Sequence, residues 1–407
     1  MNKRSLWLAV LLIVLTGLLL AACQPAAPAA TQAATEATGG GAVSGKITIW
    51  HSYHAGGAEE ATISKNVELA KAEFPDLEID VLEVPFDQIF NKYKSEVAAG
   101  GGPDMYVAPN DDLGNWVRSD LVANLDSLVT ADDLSGVSQT GVDGMKVDGK
   151  LYGVPESAKA VALYYNKDKV AEPPKTTDEL LEMVKGGNTL AQNLNGYHLF
   201  GWAPAFGGKL MDDTGKCVAD QGGYVDALQF LLDLKDAGGE YQTDGNAADQ
   251  AFRDGKVDMI INGPWVLGDY KESLGDKLGV ALMPDGPSGH ATPLNGIDGF
   301  YINPNSKNQE AAVRLAVFLT SGQSAQNYTD TAGHVPIRDS VTASDPLVAV
   351  FAQASSQGFP RPQTVEFGQY WGPFGDMYTK VLGEGATADP ETAVKDACAA
   401  MNTATGK

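Results

Sequence analysis

The sequence predicts an α/β protein of two domains, each a mostly parallel sheet flanked by helices. Three observations carry that reading. The chain has 407 residues, more than one ordinary hydrophobic core accommodates. Between Lys46 and Ala108 it alternates strand, helix, strand, helix, strand, the pattern of a parallel sheet. The stretch Ala251 to Trp265, AFRDGKVDMIINGPW, closes a helix at Gly255 and runs a short β-branched strand from Val257 to Ile261. It then breaks at Asn262-Gly263-Pro264, because Pro264 has no N–H for a ladder. Trp265 is thereby delivered just past a strand's C-terminal end, the edge where open α/β sheets bind ligands. As a lone Trp it would read first as core.

In chain order, Lys3 and Arg4 precede an apolar run from Leu6 to Leu20, and Ala21-Ala22-Cys23 follows. A charged start, an apolar run too short for a span and small residues before a cleavage point predict a signal peptide over 1–22. Leu20-Ala-Ala-Cys23 looks like a bacterial lipobox, with lipid on the Cys23 thiol. Residues 23–44 are Ala, Pro, Thr and Gly with almost nothing bulky, so they read as a flexible tether on the outer face of the cell membrane.

Strands are expected at 46–50, 77–84 and 103–108, with helices at 58–74, where Ile63, Val67, Ala70 and Phe74 share a face, and at 86–99. Asp148-Gly149 centres a hairpin over 147–155. Strands follow at 160–166, 278–282 and 299–303. Thr176 and Glu179 make a capping box. A helix at 224–235 carries Val225, Leu228 and Leu232 on one face, and another runs over 309–319. Beyond Pro336 the chain reads as less regular until a last helix over 390–401.

A formal charge of −23 argues against nucleic acid as a partner. No glycine fingerprint follows the first strand, and the three cysteines and five histidines show no metal-ligand spacing, so no cofactor or metal is expected. With Cys23 lipidated, Cys217 and Cys398 either pair in an oxidising compartment or stay as two thiols.

Several segments together resemble one family. They are Gly45-Lys-Ile-Thr-Ile-Trp50, Gly101-Gly102-Pro103-Asp104-Met105, Asp148 to Pro155 followed by Leu163 to Asp168, Pro173 to Thr176, and the Gly-Pro-Trp265 stretch. Gly333-His334-Val335-Pro336, Gly358 to Pro362 and Tyr370 to Phe374 complete the series. In this order they are similar to the extracellular sugar-binding proteins of ABC importers, the maltose, maltodextrin and cyclodextrin type. The resemblance implies a periplasmic-binding-protein-like fold of two lobes with a ligand cleft between them. It implies an N-terminal lobe of 45–158 plus 296–325 and a C-terminal lobe of 163–293 plus 330–407. Cys217 and Cys398 would then share a lobe.

The implied function is a lipid-anchored, monomeric receptor, not an enzyme, that hands an oligosaccharide to membrane permease subunits. A sugar needs flat aromatics for its C–H faces and carboxylates or amides for its hydroxyls. Trp265 and Trp371 are the stacking candidates, with Tyr370 and Trp202 behind them, each with core packing as the alternative. Asp111 stands where the family has a hydroxyl-binding carboxylate. Glu156 at the expected hinge and Glu366 before Trp371 are further acceptors, and Tyr53 replaces a lost aromatic. The chain departs from maltose-specific members at His51 to His54, Ala108, Asp112 and Lys159, where a glutamate is usual. His51, His54 and Arg361 read as surface residues. Two other functions fit the same surface: a two-lobed protein for a non-sugar solute such as a polyamine, and an extracellular glycoside hydrolase using Asp111 and Glu156.

Overall fold

The computed structural model describes residues 43–407. The expected signal peptide, Cys23 and nearly all of the tether lie outside the described residues. Gly45–His51 (β1) forms because Ile47 and Ile49 alternate onto a buried face, where both are fully enclosed. Ala58–Glu73 (α1) buries Ile63, Val67 and Ala70 along one stripe. Leu77–Glu83 (β2), Phe86–Ala98 (α2) and Met105–Pro109 (β3) follow, with β2 and β3 pairing parallel on the two edges of β1.

Lys146–Val147 (β4) and Lys150–Leu151 (β5) form the expected hairpin. Its two turn residues, Asp148 and Gly149, have φ of 50° and 78°, the left-handed pair that a two-residue hairpin turn demands. Gly153–Lys159 (β6) is buried along its whole length. The chain then builds a second sheet without interruption: Ala162–Asn166 (β7), Thr177–Lys185 (α3), Leu190–Asn193 (β8), Tyr224–Asp236 (α4), Glu240–Gln242 (β9), Gly245–Arg253 (α5), Met259–Asn262 (β10), Leu267–Leu274 (α6) and Leu278–Ala281 (β11). Leu294–Ile302 (β12) returns to the first sheet, ahead of Gln309–Leu319 (α7), Val335–Pro336 (β13), Pro346–Gln357 (α8), Phe359–Pro360 (β14), Trp371–Leu382 (α9) and Pro390–Thr405 (α10).

The first sheet runs β13-β6-β12-β3-β1-β2, with β14 beside the start of β12, and the second runs β11-β7-β10-β8-β9. Each has a parallel half, β2-β1-β3 and β10-β8-β9, extended by antiparallel strands, β12, β6 and β13 in the first and β7 and β11 in the second. One apolar cluster fills the first sheet and continues onto Tyr164, Ile260 and Val280 of the second. The alternate residues Leu163, Met259 and Ile261 face a separate cluster with α4, α9 and α10. This two-sided burial explains why the strand inside AFRDGKVDMIINGPW reads as continuously apolar.

Cys217 and Cys398 are joined in a disulfide with Cα atoms 5.4 Å apart, tying α10 to the loop ahead of α4. Asn402 reinforces the junction: the Cys217 amide donates to its Oδ1 at 2.7 Å, and its Nδ2 donates to the Cys217 carbonyl at 3.3 Å.

Four local expectations change. The segment beyond Pro336 holds α8 and α9 as well as α10. In α9 the Gly372-Pro373 pair looks like a breaker, but Pro373 falls in the first turn, whose N–H groups have no intrahelical partner. The stripe of α4 is rotated, with Tyr224, Ala227, Leu228, Leu231 and Leu234 buried while Val225 and Leu232 are only half-buried. The capping box is half formed: Thr176 Oγ1 accepts from the Glu179 amide at 3.2 Å, but the Glu179 carboxylate accepts from the Lys175 amide instead. Finally, β12 begins at Leu294, because Leu294 and Asn295 are held in the strand by β14, and Gly296 and Asp298 by β6, rather than by their own propensity.

Candidate ligand site between the two sheets

Pro264–Val266 is a single 3₁₀ turn directly after β10, and it leaves the Trp265 indole half-exposed at the seam between the sheets. Gly263 is required there: a Cβ on it would fall 1.9 Å from Cζ3 of Trp265, so any side chain would push the indole away. Tyr197 and His198 flank the indole with ring centroids 5.9 Å away, His198 edge-on.

From Trp265 the contacts run in both directions along the seam. On one side the Lys159 ammonium lies 5.4 Å from the indole centroid and pairs with Asp298 at 2.8 Å. Asp298 sits at the point where the β12–β6 register shifts. On the other side the Arg361 guanidinium lies 5.3 Å from the Tyr197 ring and pairs with Asp111 just beyond β3. Trp371 closes the series, its Nε1 donating to the Asp111 carbonyl at 3.1 Å. Trp371, Asp111 and Trp265 thus come together from three separate stretches of chain.

Behind them lies a buried hydrogen-bonded cluster. His334 donates from Nδ1 to Glu156 Oε2 at 2.9 Å and from Nε2 to Glu59 Oε1 at 2.8 Å. Ser157 Oγ donates to the same Glu156 oxygen at 2.6 Å, and the Tyr328 ring stacks on the imidazole. Since both ring nitrogens face carboxylates, both must donate, and His334 is the imidazolium. Burial alone would lower it, but Glu156 and Glu59 hold it well above its ordinary value. The seam is also latched at its rim. Gly57 offers no side chain to cap α1, and Asp269 of α6 accepts from the Ala58 amide at 2.8 Å instead.

Other expected residues sit elsewhere. Trp202 is fully buried, its Nε1 donating to Gln192 at 2.9 Å, and Tyr370 is fully buried with its hydroxyl donating to the Gly196 carbonyl at 2.7 Å. Both are core aromatics of the second sheet's side. Glu156 is spent on His334 and Ser157. Glu366 pairs with Lys407 at 2.8 Å, away from the indole. Tyr53 is packed against His51 and Tyr328 rather than presenting a free face.

Two surface expectations are overturned. Arg361 has a fully enclosed side chain, and burial lowers its guanidinium to about 9, still charged at neutral pH. His51 is 3% exposed, and its Nδ1 accepts from the Tyr53 amide. His54 is exposed as expected.

Lys159, Asp298, Tyr197, Glu59 and His334 join the seam although the sequence does not mark them as site residues. The departure from the family at Lys159 was the one available signal. His334 lies in the Gly333 to Pro336 segment but carries no mark of its role there, and Glu59, Tyr197 and Asp298 come from separate elements that only the tertiary fold brings near. Among the described residues no group of three or more His, Cys, Asp or Glu is arranged to hold a metal ion.

Comparison with known proteins points the same way. Residues 67–352 match the family described as bacterial extracellular solute-binding protein. The chain is 28% identical to the maltotriose-binding protein of Pyrococcus abyssi, covering 86% of this chain and 81% of that one. It is 25% identical to a maltooligosaccharide ABC transporter solute-binding lipoprotein of Streptococcus pneumoniae, covering 75% and 77%. Among solved structures it is similar to the Thermus thermophilus maltotriose-binding protein bound with maltotriose, at a TM-score of 0.80 and 30% identity over 88% of this chain and all of that one. A Streptomyces glaucescens receptor solved without ligand and with acarbose superposes at a TM-score of 0.83 with 25% identity, over 89% and 99%.

Proposed function

The chain belongs to the bacterial extracellular solute-binding protein family, and from that premise we propose that it is the capture component of an ABC importer for a maltodextrin-like oligosaccharide. The observation that carries this reading is Trp265, an indole presented at the seam with fixed hydrogen-bonding groups on either side. A pyranose ring needs that combination: an apolar face to stack on and polar groups around its rim. The relatives named for maltotriose and maltooligosaccharide support the same class of ligand.

The ligand bridges both lobes and favours the closed arrangement, since Trp265 and Trp371 come from one side and Asp111 from the other. The closed form docks on permease subunits, which release the sugar as they pull the lobes apart. The lipobox-like Leu20 to Cys23 supports anchoring by lipid on the outer face of the membrane.

Two observations weigh against the other functions. Asp111, Asp298, Glu59 and Glu156 each face a protein cation, which leaves little free negative charge for a polyamine. Glu156, the partner a hydrolase would need for Asp111, is 5% exposed and held by His334.

Calorimetric titration against maltotriose, cyclodextrin, trehalose, xylo-oligosaccharides and spermidine tests the proposal. Micromolar binding of an α-glucan, roughly −8 kcal/mol, is expected. A response to spermidine alone would keep the fold and remove the sugar.

A further inference from the structure

The ammonium of Lys159 is under-used. Its residue is 9% exposed, and its ionic partner is Asp298 at 2.8 Å, leaving donors of the three N–H groups over. No other acceptor among the described residues contacts it. Unlike the Asp298 Oδ1 it faces, which is enclosed without a hydrogen-bond partner, the ammonium is not fully enclosed, so the donors it does not direct at Asp298 open onto the seam. Its surroundings show what takes them. The ammonium sits 5.4 Å from the Trp265 centroid, so a ring lying on that indole meets it directly. His198, edge-on to the same indole, adds no competing charge, because burial lowers it to about 4. Asp298 balances the lysine, so the site as a whole does not select an anionic ligand.

We propose that Lys159 is a specificity-determining residue of the cleft, whose ammonium, aimed by Asp298 across the Trp265 indole, donates to hydroxyls of the sugar ring stacked there. The inference rests on the sugar-binding reading above. Asp298 is then a positioning residue: it orients the ammonium from the register shift of β12 and need not touch the ligand. The consequence is a position-specific demand. A sugar lacking the hydroxyl that Lys159 reads leaves a desolvated charge unpaired, and such a mismatch discriminates far more strongly than lost apolar contact.

The test is calorimetric titration of the wild type, K159M and K159R with maltotriose and with a panel of monodeoxy methyl maltosides. K159M keeps the length of the side chain and removes the donors. It is expected to weaken maltotriose by roughly tenfold to a hundredfold, with part of the loss recovered in K159R. The decisive readout is selectivity: one deoxy position that the wild type rejects should cost K159M nothing further. K159M within twofold of wild type, or weakened equally against every deoxy sugar, overturns the proposal. Should K159M fail to fold because Asp298 is stranded, K159M/D298N removes both charges and carries the same expectations. A wild type that binds no sugar overturns the sugar reading and this inference together, whereas normal wild-type binding with an unaltered K159M overturns this inference alone.

Discussion

Replacing both bridged cysteines with alanine (C217A/C398A) should cost stability without touching the ligand seam. The bridge closes a sequence separation of 181 residues. Loop-closure entropy for a loop of that length sets an upper figure of about 5 kcal/mol, while native bridges generally contribute about 2–4 kcal/mol. The stabilised element is α10, which buries Ala393, Val394, Ala397 and Met401 beside Cys398. Without the bridge the helix is held by these apolar contacts, the Asn402–Cys217 hydrogen bonds and the Lys407–Glu366 pair at its end. Urea unfolding should therefore show the reduced protein and C217A/C398A less stable than the native protein by the same amount, about 2–5 kcal/mol, with lowered midpoints and maltotriose affinity unchanged. Equal midpoints for all three, or two titratable thiols in the native protein, would refute the reasoning.

Two further perturbations probe the seam and the buried histidines. Gly263→Ala puts a Cβ where the indole of Trp265 now lies, so the ring must shift by about 2 Å. It should weaken sugar binding at least as much as Trp265→Ala while costing about 1–3 kcal/mol of stability; unchanged tryptophan fluorescence and affinity would show that the indole was never held there. His51 and His198 are both lowered by burial to about 4. The unfolded chain takes up these protons near 6.5 and the folded chain does not, so stability drops as pH falls from about 6.5 to 4, by about 3 kcal/mol for each histidine. His334 has the opposite sign. Raised above its ordinary value, it contributes fully below about 6.5 and loses that contribution only as pH climbs well above it. Proton-detected titration of the imidazoles decides both points, and ordinary values for His51 and His198 in the folded protein would contradict the acid prediction.

Local chemistry was legible in the sequence where it decides the structure locally. The Asp148-Gly149 turn, the helix at 309–319 and the strand–Gly-Pro-Trp265 sequence all appear with the expected form. Each is fixed within a few residues by turn geometry, periodicity or a missing N–H. What long-range packing decides was not legible. Trp202 and Trp265 are both aromatics in apolar surroundings, and nothing near them in sequence says that one meets Gln192 in the core and the other the seam. Arg361 reads as a surface cation because its partner, Asp111, is 250 positions away and its burial depends on β12 and Tyr197. Glu156 reads as a ligand carboxylate from its place in the sequence, but His334 arrives from the far side of the second sheet's sequence to claim it.

The return of β12 also sets an order of assembly. Every strand of the second sheet comes from the continuous stretch 162–281, so its ladder needs no strand that emerges later, and only the covering of one face waits for α9 and α10. The first sheet cannot close in the same way, since β12 lies between β3 and β6 and ends only at Ile302. Until then β3 and β6 have no common neighbour, and the half that appears first in the sequence waits on the half that follows it. Pulsed hydrogen exchange during refolding should find protection in the amides of 162–281 ahead of those in 45–159, and the reverse order would show that the N-terminal strands hold together without their central member.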